Sequence, residues 1–131
     1  MIVGNQELPH EASANSPFMA FQLPVGSAFG AVVSFTIAAS DGGAHVAMVS
    51  GELHTFAFYS TSSSGISCVL DPTKFTVGEL TSTCNVVLGA NGEMEFKLLN
   101  SVKFPESAPI VTCHIWYTIT YNSNVTPKVL L

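Results

Sequence analysis

A chain of 131 residues with 47% hydrophobic and 10% charged residues is one domain, with enough apolar mass for a single core. It contains no arginine, its only cations are Lys74, Lys97, Lys103 and Lys128, and its net charge is −5. These exclude the basic stripe that phosphate binding needs, and nucleic acid with it. The charged fraction is also well below the ~25% of an average soluble domain, so part of the surface is expected to be covered by a partner or by copies of the chain.

Residues 1–17 carry Pro9, Pro17 and the run Glu11-Ala-Ser-Ala-Asn-Ser16. They read as an irregular, extended N-terminal arm that frays or lies across a neighbouring subunit. The folded domain then spans 18–131. Its first strand is expected over Phe18–Leu23, stopped by Pro24 and Gly26. A second strand, Phe29–Ala39, alternates with Ala31, Val33, Phe35, Ile37 and Ala39 on one face. Asp41-Gly42-Gly43 supplies hairpin chemistry, Ala44–Val49 returns, and Ser50-Gly51 marks a bend or bulge before Glu52–Tyr59. Ser60–Gly65 lacks an apolar anchor and reads as an exposed loop.

Ile66–Leu70 is a short strand ended by Asp71-Pro72, with a brief extension at Phe75–Val77. Leu80–Leu88 and Glu93–Leu99 flank Gly89-Ala90-Asn91-Gly92, a hairpin signal because Asn-Gly tolerates left-handed geometry. In the second of these strands Met94, Phe96 and Leu98 point inward, Glu93, Glu95 and Lys97 outward. Residues 102–109 connect to a long final strand, 110–121. There Val111, Cys113, Ile115, Tyr117, Ile119 and Tyr121 share one parity, opposite His114, Trp116, Thr118 and Thr120. With no capped 3.6-residue pattern and about eight regularly spaced strands, the expected fold is all-β, an antiparallel β-sandwich or jelly roll.

Chemistry-bearing residues are few. His45, His54 and His114 fall on predicted strands, but without a convergent carboxylate set they read as solvated or hydrogen-bonded side chains, so no metal and no cofactor is expected. Gly-x-Ser-x-Gly is absent. Glu93 and Glu95 lie ~7 Å apart on one strand face, a glycosidase-like spacing. They are equally the solvent side of an amphipathic strand, and an enzyme is not expected. Trp116 among hydroxyls on the Thr-rich face of the last strand is the better lead, since an aromatic ring beside polar groups can stack a sugar. Alternatively it packs under a second sheet or a neighbouring subunit.

Cys68, Cys84 and Cys113 have no metal-ligand spacing and sit in apolar runs, where a thiol behaves as a small buried hydrophobe; a Cys68–Cys84 bridge is the alternative. The N-terminus shows no secretory pattern. The uncharged stretch between Glu11 and Asp41 is broken by Pro24, Gly26 and Gly30 and reads as two buried strands rather than a membrane span. Asn124-Val125-Thr126 matches the glycosylation sequon, which has no role without export.

Four segments taken in order carry a resemblance. They are Val32-Val33-Ser-Phe-Thr-Ile-Ala-Ala-Ser-Asp-Gly-Gly, Gly51-Glu-Leu-His-Thr-Phe-Ala-Phe, Thr83-Cys-Asn-Val-Val-Leu-Gly-Ala-Asn-Gly-Glu-Met-Glu-Phe and Cys113-His-Ile-Trp-Tyr-Thr-Ile-Thr-Tyr. Their succession over roughly residues 30–121 resembles small β-sandwich domains of tailed-bacteriophage virion proteins, found at tail-fibre ends and related appendages. The resemblance implies a non-enzymatic structural module, its partners other virion proteins and its own copies as a homotrimer, made in the host cytoplasm and carried in the virion. The short chain and the lack of fibrous repeats favour a capsid-decorating or tail-associated role. The alternative is a carbohydrate-binding module contacting a host-surface glycan through Trp116 and its neighbours, with His114, Trp116 and Thr118 as the candidate ligand or subunit contacts. A small hydrolase comes last.

Overall fold

A computed structural model describes residues 1–9, 11, 13–71, 75–105, 108–122 and 125–130. Among them the chain forms ten strands and no α-helix. The strands are β1 (Ile2–Glu7), β2 (Ser13–Gln22), β3 (Ser27–Ser40), β4 (Val46–Tyr59) and β5 (Ser64–Leu70). They continue as β6 (Phe75–Val77), β7 (Glu79–Leu88), β8 (Glu93–Lys103), β9 (Thr112–Tyr121) and β10 (Lys128–Val129). Two antiparallel sheets result, one of six strands in the order β1-β9-β3-β4-β5 with β6 also on β4, the other β10-β2-β8-β7. The expected all-β sandwich is the fold observed.

Alternation drives the packing. Phe29, Ala31, Val33, Phe35, Ile37 and Ala39 of β3, and Met94, Phe96 and Leu98 of β8, face each other across the interior with Ile115 and Ile119 of β9. Phe21 meets Phe29 and Phe96 at ring-centroid distances of 4.0 and 5.8 Å, and Phe18 meets Tyr117 edge-on at 5.2 Å. In β2 the register shifts between Pro17 and Met19, so Phe18 and Met19 are both buried although adjacent in sequence. Proline, which has no N–H for the ladder, stands at that irregularity.

Several boundaries differ from expectation, each for a local reason. The described part of residues 1–17 is not an irregular arm. Ile2–Glu7 pairs with β9 from Ile2↔Ile119 to Glu7↔His114, and Ser13–Gln22 is a full strand on β8. β1 is held by main-chain pairing with little apolar alternation, only Ile2 and Gly4 being half-buried, so periodicity could not announce it. No break occurs at Ser50-Gly51: β4 is continuous, and Gly51 is buried opposite Phe35. The loop expected over 102–109 starts late, because β8 continues to Lys103 and buries Val102 and Phe104. The final strand starts at Thr112, with Val111 exposed. β10 adds a short unexpected pairing with β2.

The turns behave as their residues require. Gly42 has φ 89°, and Asn91 and Gly92 take left-handed φ of 57° and 79° in the tight turn Ala90–Gly92 between β7 and β8. Gly92 is buried, and a Cβ there would strike the Leu23 carbonyl that marks the exit from β2. Ser60 and Ser63 close the β4–β5 loop through a 2.8 Å backbone bond. Asn124 of the sequon, His10 and Lys74 lie outside the described residues.

Candidate functional site

The outer face of the six-stranded sheet collects most of the chemistry. Pairing aligns Asn5, Trp116, Thr36 and Ser50 in one row across four strands, and Val3, Thr118, Ser34 and Glu52 in the next. Opposed residues of paired strands share a face, so these side chains border one shallow depression of about 530 Å³. Trp116 is 47% exposed and points away from the core, so within this chain it does not pack under the second sheet. The His114 ring lies 4.7 Å from the Trp116 ring at 49°, and its Nε2 is 3.1 Å from Asn5 Oδ1. Thr36 Oγ1 donates to Ser50 Oγ at 3.4 Å. His114, Trp116 and Thr118 are therefore brought together on one strand face, at alternate positions of β9.

The same face carries an apolar sector toward the far end of β4. Phe56, Phe58 and Val69 are 54%, 47% and 52% exposed, where a folded chain ordinarily keeps such side chains covered. Pairing of Val69 with His54 sets that sector beside a second polar group.

Among the described residues the histidines do not converge; His45, His54 and His114 each have their own partners. His45 sits in the β3–β4 turn with Nδ1 2.6 Å from Asp41 Oδ2. Backbone N–H groups of His45 and Gly43, with the His45 ring, hold the Asp41 carboxyl down at about 2 from its usual 3.8. His54 of β4 has Nε2 2.9 Å from Asp71 Oδ2 and 3.3 Å from Glu52 Oε2. This Glu52–His54–Asp71 group is absent from the sequence reading. Half of its signal was legible, as Glu52 and His54 stand two apart on one strand; the other half was not, because Asp71 joins them only through the β4–β5 register.

Glu93 is exposed and Glu95 lies 3.6 Å from Lys97 Nζ, the arrangement of a solvated strand face. All three cysteines are free thiols. Cys113 is buried, which pushes its thiol up. Cys68 of β5 and Cys84 of β7 meet at the seam between the sheets; burial, then the hydrogen bond with Cys84, pushes Cys68 up to about 12 from 9.0.

No helix among the described residues is long and apolar enough to cross a membrane. Comparisons with protein-family models, curated proteins and solved structures gave no match to this chain.

Proposed function

We propose that this chain is a non-enzymatic assembly module of the virion-structural kind, which joins copies of itself and a larger particle through the outer face of its six-stranded sheet. The observation that carries the reading is the exposed apolar sector Phe56, Phe58 and Val69 on a chain with so few charges. Burying the exposed half of three such side chains is worth roughly 1 kcal/mol each before the cost of association, and symmetry multiplies a modest contact. The bacteriophage setting rests on the resemblance in the sequence alone.

Light scattering after size-exclusion chromatography, at tens of micromolar, tests it. The expected result is a trimer or another closed oligomer, and a smaller species for the F56S/F58S variant with an unchanged circular dichroism spectrum. A strict monomer in the unmutated protein overturns the reading.

A second reading is favoured by one separate observation, the half-exposed Trp116 ring bordered by Asn5, Thr36, Ser50 and Thr118. An indole flanked by hydroxyl and amide groups fits a pyranose ring, the apolar sugar face on the aromatic and its hydroxyls on the polar rim. On a glycan array, retention of a specific sugar that Trp116→Ala abolishes would establish it, and an array without signal would remove it.

A further inference from the structure

The geometry points to a divalent transition-metal site, of the zinc class, formed by Glu52, His54 and Asp71, and we propose it independently of the assembly reading. Glu52 and His54 are alternate residues of β4 and so share its outer face. Asp71 follows β5 directly, and its backbone N–H donates to the Glu52 carbonyl at 2.9 Å, extending the ladder by one step. Main-chain pairing thus fixes all three backbones before any ligand arrives.

The donor atoms have the spacing a small cation requires. His54 Nε2 is 2.9 Å from Asp71 Oδ2 and 3.3 Å from Glu52 Oε2, and the donor atoms of all three lie within 4.8 Å of one another. Tetrahedral zinc with bonds of about 2.0–2.1 Å places its ligand atoms ~3.3 Å apart. A single imidazole nitrogen carries at most one hydrogen, so it serves two carboxylate oxygens only by bifurcation, whereas a cation takes a lone pair from each of the three. One nitrogen and two carboxylates suit a borderline ion such as Zn²⁺ better than Ca²⁺, which takes six to eight oxygens. The three side chains are 30–40% exposed, so an ion can reach them from solvent. Glu52 also borders the Trp116 depression, placing the ion at its end.

The test is calorimetric titration of chelator-treated full-length protein with zinc chloride, with Co²⁺ as the spectroscopic probe. One equivalent of zinc should bind with micromolar affinity and Co²⁺ should give the intense visible bands of a tetrahedral ion. Zinc at a hundredfold excess over Kd should raise Tm by roughly 10 °C. His54→Ala and Asp71→Asn should each lose more than the ~10–100-fold that follows loss of a residue merely supporting a ligand. His45→Ala should bind as the unmutated protein does. Circular dichroism of each variant confirms that it is folded; should His54→Ala unfold, His54→Gln replaces it. No zinc binding at millimolar metal overturns the site, as does binding that survives His54→Ala or Ca²⁺ binding as tightly as Zn²⁺.

Discussion

Asp41 closes the β3–β4 turn by accepting from the backbone N–H of Gly43 at 2.9 Å and of His45 at 3.0 Å, while its second oxygen meets the His45 ring. Those donors favour the carboxylate and hold its titration at about 2, against 3.8 for an ordinary aspartate. The folded chain therefore takes up this proton later than the unfolded chain as acid is added. The contribution is complete above pH 3.8 and drains away as pH falls from there to about 2. Asp41→Asn keeps an oxygen that can accept from the turn but removes the charge. Its Tm is expected a few degrees below that of the unmutated protein at pH 7, the gap closing as pH falls through that window. Thermal melts followed by circular dichroism at steps between neutral pH and pH 2 check it; a gap that stays constant would mean that the charge does not set this turn.

At the scale of elements, what could be read in advance was what alternation and turn chemistry encode. β3, β8 and β9 are buried on one parity as expected, because each has one face in the core and the other in water. The two hairpins expected at Asp41-Gly42-Gly43 and Asn91-Gly92 turn on residues of positive φ, Gly42, Asn91 and Gly92. What could not be read were features decided between elements. Ser50-Gly51 looks like a break in isolation, yet pairing with Thr36 and Phe35 of β3 carries the ladder straight through it. β1 is a strand because β9 has an open edge, not because of its own pattern. The candidate site divides in the same way: the triplet His114, Trp116 and Thr118 lies on one strand and its common face was legible, whereas the Glu52–His54–Asp71 group needs the register between β4 and β5. Cys68 and Cys84 likewise come from different sheets and meet only through the sandwich.

For the whole molecule, the decisive feature is how the six-stranded sheet ends. β9 carries Trp116 and is bounded by β3 on one side and β1 on the other. Without β1, the N–H and C=O groups of β9 along that edge would face water in a row, a template for adding a strand from another copy. Leu8, 4% exposed, follows β1 and donates its N–H to the Cys113 carbonyl at 2.8 Å, so the cover is pinned at its inner end by one apolar side chain and one backbone bond. Removal of residues 1–7 leaves that pin but strips the ladder. The truncated protein is expected to melt about 4 °C lower, the shift of roughly 1 kcal/mol in a domain of this size. It is also expected to form larger species as concentration rises, because an uncovered edge adds strands without closing. Thermal melts and light scattering of the two proteins side by side measure both effects. If the truncated chain keeps the Tm and size of the full one, β1 does not protect the sheet, and the Trp116 strand is stable as an open edge.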